Sequence, residues 1–297
     1  MNKLDITAIV LTYNEEIHIR RCLESINEYA KKVYVVDCHS SDRTREIAVE
    51  LGSEVVERDW PGNQAAQFNW ALDNLPIDTE WVLRLDADEY FTQELIDETR
   101  KRLPELALGV SAVVLPLGRA FMGRILKHGI VNEVKMIRLF RYGKARYEER
   151  MMDEHLRILE GTQTEFRNKF IDDNRCSLKQ FVNKHNGYSS KEAAILLDAE
   201  YGLTLGASDQ GELAEEVAEK RRQKAKYAKM PLFWRSLGYY LYRRWVKLGV
   251  LDGKEGFLWD FFQGLWYRML VDAKVWEAKK TCGNDKELLK KYIHEVL

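Results

Sequence analysis

Short apolar segments that alternate with amphipathic helical segments constrain the fold of this chain most strongly. Ile6 to Leu11, Val33 to Val36 and Trp81 to Leu85 are predominantly apolar runs rich in strand-forming residues. Such runs are typical of strands buried on both faces of a parallel sheet. Apolar residues at helical spacing separate the runs. This order predicts an α/β fold, with a mainly parallel sheet and helices on both of its faces.

Polar residues between these segments predict where helices begin. Asn14 is placed to cap the first helix, and the loop from Trp60 to Asn63 precedes another helix that reaches Leu72. Further along, Val110 to Leu117 and Lys135 to Phe140 resemble strands with little helix between them, which predicts a mixed extension of the sheet. We therefore predict one domain over residues 1–230 and a helical C-terminal region over residues 231–297.

The composition excludes several classes of protein. Of the 297 residues, 45% are hydrophobic and 31% are charged, as in ordinary globular proteins. The formal net charge of -1 gives no reason to expect a nucleic acid partner. Four scattered cysteines fit a reducing compartment. Because we find neither a signal peptide nor an apolar run long enough to span a bilayer, we expect a cytoplasmic protein.

Aromatic and basic residues are concentrated between Pro231 and Trp276. Amphipathic helices of this kind lie in membrane interfaces, with their rings at headgroup depth and their cations on anionic lipid. The alternative is a helical hairpin that packs on the domain or on a second subunit. We favour contact with a membrane surface, which would make the protein peripheral on the inner membrane, and leave the oligomeric state open.

Two aspartates stand where the Trp81 strand ends. Asp86 and Asp88 are two residues apart, so their side chains can face one point at the carboxyl end of the strand. Ligands bind at that edge in open α/β sheets. Two carboxylates there suit Mg²⁺ or Mn²⁺ held jointly with phosphate oxygens, although a solvated acidic turn would have the same sequence.

Three segments, in this order, resemble the family 2 glycosyltransferases, which have the Rossmann-like GT-A fold. The segments are Ile9 to Glu16, Val35 to Asp37 with the Ser-Ser-Asp turn after it, and Leu85 to Glu89. The chain most resembles a bacterial branch that includes lipopolysaccharide core β-1,4-glucosyltransferases. The resemblance extends over roughly the first two thirds of the chain.

The resemblance implies an inverting enzyme of cell-envelope polysaccharide synthesis. It would move a sugar from a UDP-sugar, with UDP-glucose as one candidate, to a saccharide or lipid-linked acceptor, with Mn²⁺ or Mg²⁺ as cofactor. A non-catalytic protein that binds nucleotide sugars or assembles with other proteins is the first alternative. The second is a sugar nucleotidyltransferase, whose glycine-rich N-terminal signature is replaced here by Thr12 to Glu15.

The resemblance also implies which residues hold the donor. The nucleotide-sugar contacts would be Thr12, Tyr13, Asn14, Glu15, Asp37, Gln67, Asp86 and Ala87. Tyr13 would stack on uracil, and Asp37 would accept a hydrogen bond from the uracil imide or, alternatively, cap the following helix. Asp88 and Asp86 would bind the metal ion.

A carboxylate that removes the acceptor proton completes the implied site. Met151 to His155 resembles the short acidic motif of the family, and we assign Glu154 as the base with Asp153 as its substitute. Repulsion between the two adjacent acids would raise the pKa of one of them, which suits a base that works near neutral pH. The alternative is an exposed acidic turn.

Overall fold

Four parallel strands form the N-terminal half of the main sheet. The computed structural model describes residues 3–130, 134–148, 156–203 and 226–297. The strands are β1 (Leu4–Thr12), β2 (Ala30–Asp37), β3 (Glu54–Glu57) and β4 (Trp81–Asp86), in the spatial order β3-β2-β1-β4. The connecting helices are α1 (Ile19–Ile26), α2 (Thr44–Glu50) and α3 (Gln64–Asn74).

A mixed set of strands extends the sheet beyond β4. Next along the chain are β5 (Glu89–Phe91), α4 (Gln93–Arg102), β6 (Val110–Phe121), β7 (Arg124–Leu126) and β8 (Lys135–Arg141). Then follow β9 (Ala145–Tyr147), β10 (Leu156–Ile158), β11 (Thr162–Glu165) and β12 (Phe170–Asp172). β8 lies antiparallel between β4 and β6, and β12 lies between β6 and β5. The predicted α/β fold is confirmed, including the mixed extension of the sheet.

Apolar layers cover both faces of the sheet. On one face, Ile19 and Leu23 of α1 belong to a buried cluster with Val10 of β1. On the other face, Phe68 of α3 is buried in a cluster with Ile9 of the same strand. Neighbouring residues of β1 thus point into different layers, because side chains alternate along a strand. This burial on both sides explains why the strand segments are almost continuously apolar.

The helical part of the chain forms a second compact unit. The first unit comprises Met1–Lys127 and Val131–Arg175, and the second comprises His128–Ile130 and Cys176–Leu297. The described helices of the second unit are α5 (Leu178–Tyr201), α6 (Trp234–Leu241), α7 (Gly253–Trp259), α8 (Tyr267–Cys282) and α9 (Lys286–Glu295). Turns of π-helix at Tyr242–Val246 and Asp260–Trp266 follow α6 and α7.

This second unit begins earlier than the domain boundary that we predict at residue 230. Ala193 and Leu197 of α5 are buried together with Val271 and Val275 of α8. The apolar side of α5 therefore finds its partners among the C-terminal helices. Within the described ranges, no helix is both long and apolar enough to cross a membrane.

Candidate functional site

The carboxyl ends of β1, β2 and β4 bring the predicted donor-binding residues to one edge of the sheet. Asp37 is the register partner of Thr12, and Asp86 is the partner of Leu11. Because the three strands are parallel, the chain leaves all of them at the same edge. Tyr13, which is 62% exposed, follows β1 there. The structure thus brings Tyr13, Asp37 and the Asp86/Asp88 pair together.

Asp37 joins the loops that follow β1 and β2. Its side chain is 0% exposed, and its Oδ1 accepts hydrogen bonds from Thr12 Oγ1 at 2.7 Å and Ser40 Oγ at 2.6 Å. Its Oδ2 accepts the backbone N–H of Ser40 at 2.7 Å. The alternative assignment of Asp37 as a helix cap is wrong, because α2 begins only at Thr44, whose N–H donates to Asp42. The contact of Asp37 with uracil stays a prediction.

Asn14 does not cap the first helix, which corrects our prediction for its local role. The helix begins at Ile19, and no side chain caps it. Asn14 instead has a φ of 56° and accepts the backbone N–H of Ser41 at 2.8 Å through Oδ1. Asparagine tolerates this left-handed conformation better than most residues. The side chain therefore ties the β1 loop to the β2 loop.

Glu15 is held by a buried histidine. His18 Nε2 accepts the backbone N–H of Arg175 at 2.8 Å, so its Nδ1 carries the proton of a neutral ring and donates to Glu15 Oε2. The backbone N–H of Glu15 donates to Thr44 Oγ1 at 2.7 Å. Glu15 thus anchors one end of the predicted nucleotide loop, and Thr12, which donates to Asp37, anchors the other. The exposed Tyr13 lies between them.

Gln67 and Asn69 are buried on α3, below the edge. Gln67 Nε2 donates to Cys38 Sγ at 2.8 Å, directly after Asp37. Asn69 donates to the carbonyl of Tyr147 at 2.9 Å and accepts its N–H at 3.1 Å, which joins α3 to β9. The Gln67 amide supports the end of β2 from behind, and its contact with the donor stays a prediction.

Two buried arginines flank Asp86. Arg138 Nη2 donates to Asp86 Oδ2 at 3.0 Å, and Arg84 Nη2 lies 3.4 Å from Asp86 Oδ1. Burial alone would raise the pKa of Asp86, but the two guanidinium groups outweigh it and hold that pKa below its usual value. Asp86 is therefore a carboxylate at neutral pH, as binding of a cation requires.

Glu89 forms the inner part of the same cluster. Its carboxyl group accepts a hydrogen bond from Arg138 and, at 3.1 Å, the backbone N–H of Asp86. Burial raises the pKa of Glu89 to about 8; Arg138 opposes this rise, whereas Asp86 and Asp88 add to it. The Glu89 side chain thus fixes the first residue of the turn that carries Asp88.

Asp88 lies beside a second group of polar residues, at the ends of β5 and β12. Asn174 Nδ2 donates to Asp88 Oδ2 at 3.0 Å, and the N–H of Asp173 donates to the Asp88 carbonyl at 3.0 Å. Nearby Asp172 accepts a hydrogen bond from Arg119 at 2.6 Å. Burial raises the pKa of Asp172 to about 6, against the effect of Arg119 and with a contribution from Asp88.

The Asp86/Asp88 pair fits a divalent cation by the chemistry of its donors. Both side chains present carboxylate oxygens, the ligands that Mg²⁺ and Mn²⁺ prefer. Among the described residues, no group of three or more His, Cys, Asp or Glu side chains is arranged to hold a metal ion. A cation here would therefore take further oxygens from a bound diphosphate and from water, as is usual for Mg²⁺ at phosphate sites.

Asp153 and Glu154, the predicted bases, lie outside the described residues.

The sequence analysis did not predict the structural roles of Arg84 and Glu89, although the sequence contains one signal for Arg84. Arg84 interrupts an otherwise apolar strand, and a buried arginine needs acidic partners. Arg138 of β8 also forms an ion pair with Asp86, at 3.0 Å.

In α/β proteins with a doubly wound sheet, ligands bind at the carboxyl edge of the strands, where this chain places its polar loops. The family model "Glycosyl transferase family 2" matches residues 7–171. The chain therefore belongs to glycosyl transferase family 2.

Two of the proteins similar to this chain are named as glycosyltransferases. An uncharacterized glycosyltransferase of Rickettsia bellii is 39% identical over 93 residues, which are 31% of this chain and 31% of that protein. The match thus spans about a third of that relative. The lipopolysaccharide core biosynthesis glycosyltransferase LpsC of Rhizobium meliloti is 29% identical over 158 residues, covering 49% of this chain and 54% of LpsC.

Among solved structures, S. aureus TarS 1-349 is 16% identical, with a TM-score of 0.44, and the match covers 98% of this chain and 92% of TarS. The Mycobacterium tuberculosis glucosyl-3-phosphoglycerate synthase, in complex with Mn²⁺, UDP and glucosyl-3-phosphoglycerate, is 20% identical, with a TM-score of 0.32. That match covers 39% of this chain and 44% of the synthase.

Proposed function

We propose that this protein transfers a sugar from a UDP-sugar to a saccharide or lipid-linked acceptor of the cell envelope, with inversion at the anomeric carbon. The observation that carries the proposal is the meeting of Tyr13, Asp37 and the Asp86/Asp88 pair at one sheet edge. Membership of the family agrees with it. UDP-glucose is a candidate donor, and the similarity to LpsC favours a lipopolysaccharide acceptor at the inner membrane.

Each residue has a definite task in this proposal. The exposed ring of Tyr13 stacks on uracil, an interaction worth about 1–3 kcal/mol per base. Asp37 holds the two loops together, and its proposed contact with the imide N–H requires that its buried carboxylate become accessible to uracil. Asp86 and Asp88 hold Mn²⁺ or Mg²⁺, which, when bound, neutralises charge that develops on the departing diphosphate. Arg84 and Arg138 keep Asp86 ionised and oriented.

Glu154 is the proposed base of the transfer. Its carboxylate takes the proton of the acceptor hydroxyl as the oxygen bonds to the anomeric carbon. The bond between that carbon and the diphosphate oxygen breaks, and its electron pair leaves with UDP. Attack from the side opposite the leaving group inverts the configuration. General base catalysis of this kind contributes about 10²–10⁴-fold to the rate.

Binding of UDP by isothermal titration, with Mn²⁺ or with EDTA, tests the donor site. Asp88→Asn should weaken Mn²⁺-dependent binding about tenfold or more, because each 1.4 kcal/mol lost is a factor of ten. Asp97→Asn is the matched control: it changes an exposed aspartate of α4 whose carboxylate accepts a hydrogen bond from Gln93. Equal binding by both variants would reject Asp88 as a metal ligand.

Release of UDP from a panel of UDP-sugars tests catalysis. Glu154→Gln should bind UDP normally and lose transfer, and unchanged turnover would reject Glu154 as the base and move the test to Asp153→Asn. Wild-type protein that binds UDP but releases none from any UDP-sugar and acceptor would favour a non-catalytic binding protein. Formation of UDP-sugar from UTP and a sugar phosphate would favour a nucleotidyltransferase.

A further inference from the structure

The helix from Trp234 to Val246 turns its apolar side chains outward. It consists of α6 and the π-helical turn that follows it directly. The exposed side chains recur mostly three or four residues apart and so share one face. They are Trp234, Leu237, Leu241, Tyr242, Trp245 and Val246, and the two tryptophans are 72% and 61% exposed. A helix on the surface of a globular protein normally shows the reverse arrangement.

The inward side of this helix carries its arginines. Arg235 and Arg243 are only 3% and 6% exposed. Arg235 Nε donates to Asp272 Oδ1 at 2.8 Å, and Arg243 Nε donates to Asp260 Oδ1 at 3.1 Å. Buried ion pairs of this kind seldom stabilise a protein more than apolar residues of similar volume would. Their effect here is to take the charges inward and leave an apolar face outside.

The charge around the outward face is positive. Residues 226–251 include no aspartate or glutamate but six lysines and arginines, of which Arg235 and Arg243 are the inward, paired ones. Exposed Lys229 precedes the helix, and Lys247, whose ammonium lies 5.7 Å from the centre of the Tyr242 ring, follows it. Tryptophans on an apolar face with cations at its ends complement acyl chains beneath anionic headgroups. A second copy of the chain, joined through the same face about a two-fold axis, would set like charges against each other.

We propose that the outward face, formed by Trp234, Leu237, Leu241, Tyr242, Trp245 and Val246, binds the surface of an anionic lipid bilayer. The helix lies along the interface, and its two tryptophans, about 16 Å apart at 1.5 Å per residue, enter at headgroup depth. This surface deepens the proposed function, on which its biological purpose rests: it would hold the enzyme on the membrane that carries a lipid-linked acceptor. Lipid binding itself does not require sugar transfer.

Flotation of the full chain with vesicles tests this surface. Wild-type protein should float with phosphatidylcholine vesicles that contain phosphatidylglycerol, and less with phosphatidylcholine alone. Leu241→Glu should lower the bound fraction by about fivefold or more, because it places a charge in the apolar face. Leu288→Glu is the matched control: it makes the same change at an almost equally exposed leucine of α9, and should float like the wild type.

Failure of the wild-type protein to float, or equal flotation of the two variants, would overturn the proposal. So would a dimer, seen by sedimentation velocity without lipid, that Leu241→Glu dissociates while flotation stays unchanged. Circular dichroism and thermal unfolding of the same samples show whether Leu241→Glu is folded, and UDP binding with Mn²⁺ is measured beside them. Flotation without UDP binding in the wild type would count against the proposed function and leave the lipid surface standing.

Discussion

Replacement of Arg138 by methionine tests whether buried ion pairs hold the edge of the sheet together. Arg138 is buried and bonds to two carboxyl groups, those of Asp86 and Glu89. Removal of one partner from a buried ion pair costs about 3–5 kcal/mol. With a pKa of about 8, Glu89 is already mostly protonated at neutral pH and leaves no second charge unpaired, and Arg84 still faces Asp86. We therefore expect a loss near the lower value, about 3 kcal/mol, out of a total stability of about 5–15 kcal/mol.

Urea unfolding without nucleotide and with EDTA measures this loss as a lower midpoint at an unchanged slope. Arg146→Met is the matched control, since Arg146 donates to Asp73 at 2.7 and 2.8 Å but lies on the surface. It should cost less than about 1 kcal/mol, as is usual for exposed pairs. The double variant Arg138→Met/Asp86→Asn should recover about 1 kcal/mol, within the usual range of coupling between neighbours, because it removes the carboxylate that has lost its partner. Equal losses for Arg138→Met and Arg146→Met would refute the reasoning.

Two further predictions concern the first compact unit. Glu98 accepts the backbone N–H groups of Arg167 and Asn168, which together with Arg102 overcome burial and hold the pKa of Glu98 below its usual value. A carboxyl group whose pKa is lowered in the folded state stabilises the protein above its unfolded pKa of about 4.3, and this stabilisation is lost as the pH falls further. Urea unfolding should therefore show that the wild type is more stable than Glu98→Gln at neutral pH and that the difference shrinks near pH 3. A difference that stays constant with pH would contradict this. Asn63 caps α3 by accepting the N–H of Ala66 at 2.7 Å, so Asn63→Ala should cost about 1 kcal/mol in thermal unfolding, whereas Asn63→Asp should cost little; equal losses would exclude the cap.

Local features of the fold and of the site could be read from the chain alone. The apolar runs ending at Leu11, Val36 and Leu85 predicted strands, because strands buried on both faces of a sheet consist mainly of apolar residues. Parallel strands separated by helices then bring their carboxyl ends to one edge, which is why the meeting of Tyr13, Asp37 and Asp86 was predictable. The i, i+2 spacing of Asp86 and Asp88 could likewise be read from the sequence alone.

Partners that are distant in the chain depended on the tertiary structure. Arg138 meets Glu89 across 49 residues, and Asn14 meets Ser41 across 27. Neither pairing produces a periodic pattern in the sequence, since each depends on how strands and loops lie side by side. Composition showed that the C-terminal helices are aromatic and basic. Only the packing of Arg235 against Asp272 decided that, in the helix from Trp234 to Val246, this arginine points inward while Trp234 and Trp245 point outward. Periodicity records how residues repeat along one element, whereas the direction that a face takes is set by the neighbours it meets after folding.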